Sequence, residues 1–516
     1  MKKFLTAIML CLLAANVSLC AQNAVERALN DVDYAVEAQA VVSAKHTGLD
    51  NNHFSNAPFW LQANKYGLSS VNADNGLIRM SVSRQIDTDW QQNPHHWNIG
   101  YGADVAVAYN HEQTLIVQQL YADLQWKWLR LSVGSKERPL ELKNNTLSSG
   151  SQTFGINAKP IPQVRLEVPE YVSFSKKLDW IAVKGHFGYG MLTDGGFQER
   201  YLTPGLHYVS KARFHSKAGY LRLGNEKRFP LTFEGGLEWA CVFGGDAHNI
   251  LGAGNDFKMP SGLKDYFKAI YGGGSDQTDG AQYANAAGNT LGSWTARLNY
   301  RIKDWRFSVY LDHFFEDHSQ LFCEYGWRDG LYGLEVAFPE NPVVSNLVYE
   351  YITTKDQSGP IYHDHTAAIP DQISAYDNYY NHAIYQGWQH WGQAIGNPFY
   401  YTALYQRDGT LSFSGNRFNA HHFGISGRPL SSLSYKLLLS YSENWGTYQN
   451  PYTDVKYNTS LLCEINWQPG HIGKMLLDGW NLGVAFAFDR GSQLGDNTGM
   501  QFVIRKTGVF NFKSSR

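Results

Sequence analysis

The sequence predicts an all-β protein, a large antiparallel transmembrane β-barrel of about 18 strands whose lumen is occluded by loops and an N-terminal segment. Three observations carry this prediction. Apolar and polar residues alternate with period two along most of the chain. A secretory signal precedes the alternating runs. The chain is rich in aromatic residues (14%) and glycine (49 residues) and poor in charged residues (17%), as barrels with aromatic girdles are.

Residues 1–21 have the layout of a secretory signal peptide. Lys2 and Lys3 form a basic start, an apolar run follows, and small and polar residues lead to Ala21. We place the cleavage after Ala21, with Cys20 as the alternative. The apolar run is too short for a mature membrane helix, which takes about 20 residues, and no later apolar run is long enough. The mature chain is therefore either soluble after export or crosses a membrane with strands.

Trp97–Tyr109 is the clearest alternating run. Its odd-numbered positions are apolar, with Trp97 and Tyr109 at the ends, and its even-numbered positions are small or polar. Such a strand fits lipid on one side and a packed polar lumen on the other. Similar runs lie at 78–83, 120–127, 129–134, 181–189, 231–243, 294–302, 305–312, 433–442, 460–467 and 480–489, with weaker ones at 163–172, 206–214, 219–225, 331–338, 343–352, 402–406, 417–425 and 499–507. Because bacterial barrels usually have an even strand number, we expect about 18.

Stacked β-sandwiches or a propeller would also produce alternation, and three features favour the barrel over them. No blade-like repeat of about 40 residues is present. The apolar faces end in Trp and Tyr, as membrane interfaces prefer. The connections also differ greatly in length, which matches the short turns and long loops of outer-membrane barrels.

Long insertions divide the mature chain. Residues 22–75 are predicted to cover or plug the barrel at its periplasmic mouth, or alternatively to add a strand through 34–42. Residues 76–516 form the barrel, with long loops at about 136–160, 244–292 and 353–398 and a short helix at 263–270. Loops on a rigid scaffold are where binding residues concentrate.

The loop at 353–398 contains the main candidate binding residues. They combine flat aromatic rings with hydrogen-bonding groups: Tyr379, Tyr380, Asn381, His382, Trp388, His390 and Trp391. Aromatic rings can cover the C–H faces of a sugar while Asn and His bind its hydroxyls, which suits a ligand pocket. The alternative is that the loop packs against itself and closes the barrel.

Arg297 and Arg301 share a predicted lumen face, and acidic residues lie on other inner faces: Asp123, Glu234, Glu238, Asp312 and Glu464. One hypothesis is that the two arginines belong to a charged track for an acidic glycan. The other is a lumen network in which arginines pair with carboxylates across strands.

Other chemistries find little support. The formal net charge of −2 offers no basic field for nucleic acid. His363 and His365 would share a face, but no third ligand is identified, so we predict no metal site. There is no nucleophile elbow and no phosphate loop, and no cofactor is expected. Carboxylates are abundant, and two of them could form the catalytic pair of a glycosidase. The sequence does not decide this, because the chemistry depends on the distance between the two carboxyl groups.

Several stretches resemble the capsule-assembly Wzi family of outer-membrane proteins, in the form found in Bacteroidetes-like bacteria. They are spread in order over nearly all of the mature chain, at 57–61, 64–68, 134–139, 149–150, 157–162, 349–351, 356–359, 379–382, 387–388, 396–398, 440–442 and 444–448. The resemblance implies a large barrel, an occluded lumen and a lectin-like role in holding capsular polysaccharide at the cell surface. The chain departs from enterobacterial members in its short N-terminal helical segment, so its plug and its glycan are expected to differ.

From the strands and this resemblance together we expect a non-catalytic outer-membrane lectin with its loops facing the cell exterior. Its expected partners are capsular or surface polysaccharide, outer-membrane lipid and, as a further contact, the capsule export machinery. Nucleic acid is not among them. The alternatives are a channel for sugars or similar solutes and an enzyme that modifies surface glycan.

Overall fold

The computed structural model describes residues 32–44, 56–86, 97–175, 177–250, 252–271, 288–316, 328–363, 372–472 and 475–510, with the backbone alone at 358–363, 372–376, 471–472 and 475–476. The predicted signal peptide, 1–21, lies outside these ranges, as does His365. The side chain of His363 is likewise not described.

Eighteen strands form one closed antiparallel sheet. In chain order they are β1 Val32–Ser43, β2 Asn75–Arg84, β3 Trp97–Tyr109, β4 Leu115–Trp126, β5 Leu129–Ser135, β6 Gln163–Ser173, β7 Ile181–Met191, β8 Arg213–Leu223, β9 Leu231–Phe243, β10 Asn289–Ile302, β11 Trp305–Phe315, β12 Gly330–Ala337, β13 Asn346–Thr353, β14 Phe418–Leu430, β15 Leu433–Gly446, β16 Pro451–Trp467, β17 Trp480–Gly491 and β18 Asn497–Phe510. Each strand pairs with the next, and β1 pairs with β18, so that Val32 lies opposite Phe510. The predicted barrel and its even strand number are confirmed.

The two faces of the sheet follow the alternation in the sequence. On β3, Val107 is 59% exposed on the outer wall, whereas the adjacent Ala106 is 1% exposed on the inner wall. The outer wall presents exposed apolar side chains around the barrel, which is the surface that lipid requires. Within the described residues, no helix is long and apolar enough to cross a membrane.

The two ends of the barrel differ. Connections that follow odd-numbered strands are mostly long, at 44–74, 136–162, 192–212, 244–288 and 354–417, and we call this end the loop end. Connections that follow even-numbered strands include tight turns at 127–128, 303–304 and 431–432, and we call this the turn end. Because β1 begins and β18 finishes at the turn end, both ends of the barrel sequence lie there.

The loops contain short elements of their own. The helices are α1 Phe59–Gln62, α2 Gly195–Tyr201 and α3 Leu263–Tyr271, and Ala403–Tyr405 forms a 3₁₀ turn. Short strands pair within the loops: Tyr208–Ser210 with Gly245–His248 and Phe257–Met259, Ser358–His363 with Gln372–Tyr376, Gln389–His390 with Gln393–Ala394, and His471–Ile472 with Met475–Leu476. The predicted helix at 263–270 is present, whereas the weak strand expected at 402–406 is the 3₁₀ turn.

The boundary predicted at residue 76 falls one strand too late. Val32–Ser43 is not a cover but the first barrel strand, which corresponds to the alternative strand through 34–42. Its outward positions include Ala38 and Ala40, and these small residues weaken the contrast between its two faces. The part of the predicted cover that fills the lumen is 56–74, and it connects β1 to β2 at the loop end.

Candidate functional site

Three loop segments fill the lumen and bind one another; we call 56–74, 136–162 and 379–416 together the plug. The side-chain amide of Asn64 donates to the Ser149 carbonyl at 2.9 Å, which ties the first segment to the second. The Asn157 amide donates to the Ala394 carbonyl at 3.1 Å and ties the second to the third. The plug thereby forms the largest buried apolar cluster of the described chain together with the inner wall.

A buried carboxylate on the wall holds the second plug segment. Asp312 on β11 accepts from the Lys143 ammonium at 2.8 Å, the Ser151 hydroxyl at 3.0 Å and the Gln152 backbone N–H at 2.9 Å. Burial by itself lowers the pKa of Lys143, but the Asp312 and Glu238 carboxylates outweigh it and raise the pKa above its ordinary value. Lys143 and Asp312 therefore form a charged pair that is closed off from solvent.

A second wall carboxylate binds the same segment. Glu350 on β13 accepts from the Ser148 hydroxyl at 2.6 Å and the Ser149 backbone N–H at 2.7 Å. Tyr310 on β11 donates its phenolic O–H to Glu350 at 2.6 Å. Hydrogen bonds to a charged acceptor are stronger than neutral ones, so this contact fixes the segment against the wall.

The first plug segment binds two further strands of the wall, β15 and β17. The Phe59 backbone N–H donates to Asp489 on β17 at 3.0 Å, and the Trp60 indole donates to the Ser440 hydroxyl on β15 at 3.1 Å. Since α1 has no side-chain cap of its own, Asp489 satisfies an N–H at its first turn. The plug is thus bonded to strands β11, β13, β15 and β17 of the wall.

The predicted sugar-binding aromatics are mostly inside the plug. Tyr379, Tyr380, Trp388 and His390 are completely buried. Tyr380 stacks on Tyr400 with 3.6 Å between ring centroids, and the Trp388 indole donates to the Thr153 carbonyl at 3.0 Å. This burial favours the alternative that the loop packs against itself and closes the barrel, and sugar contact at these residues stays a prediction.

Asn381 and His382 are half-buried, and their side chains form hydrogen bonds with the backbone of the plug. The Asn381 amide donates to the Phe413 carbonyl and its oxygen accepts the Phe413 N–H, both at 2.8 Å. His382 Nδ1 accepts the backbone N–H of Ile384 at 3.0 Å. These contacts close a turn between two parts of the third plug segment.

The two predicted arginines have different surroundings. Arg297 faces the lumen and donates to Glu335 at 2.8 Å and to the Ser308 hydroxyl at 2.9 Å, as the network hypothesis expects. Arg301 lies near the turn end, where its side chain is 53% exposed and 3.8 Å from Glu226. The two residues therefore do not form one track.

Trp391 is the predicted aromatic that reaches the surface of the loop end, where it is half-buried. Its indole N–H donates to the Thr193 hydroxyl at 3.2 Å, and the Lys159 ammonium lies 5.3 Å from its ring centroid. The backbone of Trp391 has φ 56°, which is uncommon for a bulky residue, and Asp194 accepts its N–H at 3.1 Å. We call Trp391, Lys159 and Thr193 the Trp391 patch.

Neighbouring groups keep this patch in place. His390 Nε2 accepts the Thr193 N–H at 3.2 Å, so its Nδ1 carries the proton and donates to the Lys159 carbonyl at 2.9 Å. Burial lowers the pKa of His390, which keeps the ring neutral at ordinary pH. Burial also lowers the pKa of Lys159 to about 8, so that this ammonium remains mostly charged near neutrality. Lys159 and Thr193 were not predicted as site residues because they come from two other loops.

The lumen is open on the other side of the plug. A cavity of 780 Å³ at the turn end is lined by Lys65 and Tyr66 of the plug and by inward residues of β1 and β16–β18. A second cavity of 950 Å³ shares Glu464 and Asn466 with it. The lumen is thus a polar vestibule at the turn end that the plug closes toward the loop end.

A closed barrel with an apolar outer wall and a polar lumen has the architecture of the outer-membrane β-barrel proteins. No known family model and no curated protein matches the sequence. Among solved structures the fold is similar to that of Wzi, described as an outer-membrane protein involved in group 1 capsule assembly in Escherichia coli and a carbohydrate-binding β-barrel. The TM-score is 0.54 at 11% identity, and the match covers 96% of this chain and 88% of that chain.

Two Pseudomonas aeruginosa barrels match with lower scores. OprD has a TM-score of 0.44 at 8% identity, covering 93% of this chain and 95% of that chain. OccK2 has a TM-score of 0.46 at 7% identity, covering 93% of this chain and 98% of that chain.

Proposed function

We propose that this protein is a non-catalytic, lectin-like protein of the bacterial outer membrane that binds capsular or surface polysaccharide and helps to attach or assemble it. The observation that carries the proposal is the plug. Three segments bind one another, and carboxylates of three wall strands hold them: Asp312, Glu350 and Asp489. An open solute channel requires a continuous path through the lumen, which this plug interrupts, whereas a surface platform requires no such path.

The orientation belongs to the same proposal. Outer-membrane barrels keep short turns on the periplasmic side and long loops outside. The loop end of this barrel would therefore face the cell exterior and the capsule. Outer-membrane lipid would surround the wall, and the turn end would face the periplasm, where it would contact the capsule export machinery.

The Trp391 patch is the part of the predicted aromatic set that a glycan can reach. An indole face can cover sugar C–H groups, the nearby Lys159 ammonium can donate to sugar oxygens, and the Thr193 oxygen can accept from a sugar hydroxyl. Support for carbohydrate as the ligand comes from the sequence resemblance and from the structural similarity to Wzi, which is itself a carbohydrate-binding barrel.

Deletion of the gene, with capsule scored as retained or shed, tests the proposal. We expect the deleted strain to release capsule into the medium and the wild-type gene to restore retention. A variant with Trp391→Ala should restore the barrel in the membrane but restore retention only partly. Unchanged, attached capsule in the deleted strain would overturn the proposal. If the purified protein shortened purified glycan, the proposal would be replaced by the alternative that the protein is an enzyme that modifies surface glycan.

A further inference from the structure

Helix α3 lies outside the barrel, against the outer wall near the loop end. On β9 the lumen side is occupied by Glu238 and Ala240, so Trp239, Cys241 and Phe243 must point outward. Phe243 contacts Tyr266 of α3 at 5.1 Å between ring centroids, and Ala269 of α3 belongs to the same buried cluster as Cys241.

The neighbouring strands contact the helix in the same way. Tyr189 of β7 points outward, and its O–H donates to the Tyr266 carbonyl at 2.6 Å. Lys217 of β8 points outward and donates to the Ile270 carbonyl, while its ammonium lies 4.9 Å from the Trp239 ring centroid. Three adjacent strands thus hold one helix on a wall whose apolar side chains are elsewhere exposed.

Helix α3 covers the outward side chains of β9 beneath it almost completely. Cys241 is 2% exposed and Phe243 is 0% exposed, although both lie on the outer wall. Another side of α3 presents Leu263, Phe267 and Tyr271, which are 81%, 60% and 62% exposed. Their spacing of four residues places them on one helix face. An exposed apolar face of this kind on a helix this short needs a partner.

We propose that this face of α3 lies in lipid, at the boundary between acyl chains and headgroups of the leaflet at the loop end. The helix is continuous with the apolar outer wall, because the strand residues described above as contacting it, Tyr189, Lys217 and Phe243, all point outward. Lys264 and Lys268 adjoin the apolar face and complement lipid phosphates. The proposal depends neither on a glycan ligand nor on which leaflet the loop end meets. A second copy of the chain is the competing occupant.

The test uses the full-length protein in nanodiscs with a nitroxide label at Phe267→Cys or, in a second variant, at Leu263→Cys. Cys323→Ser and Cys463→Ser remove two other thiols, and Cys241 can stay because α3 covers it. Collision of the label with oxygen, which concentrates in the bilayer, is compared with collision with a water-soluble nickel chelate. Val309→Cys, 51% exposed on the outer wall, serves as the lipid control, and Asp408→Cys, exposed on the plug, as the water control.

We expect the ratio of oxygen to nickel accessibility at both helix positions to approach that of Val309→Cys and to exceed that of Asp408→Cys several-fold. A ratio like that of Asp408→Cys would overturn the proposal, because the helix face would then be in water. Spin–spin broadening that disappears on dilution with unlabelled protein would also overturn it, since a second copy would then be the occupant.

Discussion

Trp388 and Trp391 show how residues close in sequence acquire different roles. The Trp388 ring is completely buried and stacks on Phe214 of β8 at 5.7 Å. Trp391 and Gly392 form a two-residue turn with a left-handed backbone, and the Trp391 ring emerges beside α2, where the Phe197 ring centroid lies 5.6 Å away. The short strand Gln389–His390 leads from the buried Trp388 to the turn that holds Trp391 at the surface, so the two tryptophans can be tested separately.

Trp391→Ala should weaken binding of purified capsular polysaccharide without changing the stability of the barrel. The variant removes the exposed ring surface, while the surrounding bonds of His390 and Thr193 remain. We expect at least about a tenfold loss of affinity if the ring carries about 1.4 kcal/mol of contact, measured by isothermal titration calorimetry. Unchanged affinity would remove the Trp391 patch from the proposed site.

Trp388→Ala should instead destabilise the plug. It removes a buried indole and its hydrogen bond to the Thr153 carbonyl, at a cost of about 3–5 kcal/mol for a buried aromatic residue. Denaturant unfolding in micelles measures the loss. Trp388→Phe keeps an aromatic ring against Phe214, so it should be the milder change. Equal effects of the two substitutions would mean that the ring packing contributes little.

At the scale of elements, the plug segment 136–162 depends on its contacts with wall carboxylates. Lys143→Met leaves Asp312 charged and buried without its ammonium, which costs about 3–5 kcal/mol for a broken buried pair. We expect faster hydrogen exchange at the backbone amide of Gln152, which Asp312 binds. Adding Asp312→Asn should recover part of the loss, because no uncompensated charge remains.

The control for this experiment is an exposed pair of the same kind. Lys211 lies 2.9 Å from Asp246, but its side chain is 69% exposed. Because exposed pairs contribute about 0–1 kcal/mol, Lys211→Met should leave exchange in the plug unchanged. Similar exchange in the two lysine variants would show that the buried pair does not hold the segment.

The strands could be predicted because alternation is a local property of the sequence. Thirteen consecutive residues of β3 define both of its faces without reference to the rest of the chain. β1 was harder because alanines occupy both of its faces, and Ala35 inside and Ala38 outside give little contrast. β1 belongs to the barrel because β18 needs a partner strand to close the sheet. This requirement becomes visible only when all strands are assembled.

The site could not be predicted in the same way. An aromatic loop has the same composition whether its rings bind sugar or fill a lumen, and only contacts such as Trp388 with Phe214 distinguish the two. The Trp391 patch joins three loops, so no sequence spacing brings Lys159 and Thr193 to that ring. The network of charged residues in the lumen was easier to predict from the sequence, because Arg297 and Glu335 each lie on an inward position of a strand.

At the scale of the whole molecule, the width of the barrel favours transport of solutes, whereas the plug opposes it. A closed sheet of 18 strands is wide enough for an aqueous channel. The vestibule at the turn end supplies part of such a path, with cavities of 780 and 950 Å³. The plug interrupts the path toward the loop end, so conductance depends on the plug rather than on the barrel.

The intact protein in planar bilayers should therefore show no large steady conductance. Replacing residues 140–157 by a short glycine–serine linker removes the segment that Asp312 and Glu350 hold, together with the Thr153 acceptor of Trp388. We expect this variant to conduct in discrete steps. Removing the exposed residues 252–255 of another loop should leave the barrel closed. A steady open current from the intact protein would contradict the occluded platform and favour a channel, because the plug would then leave a continuous path through the lumen.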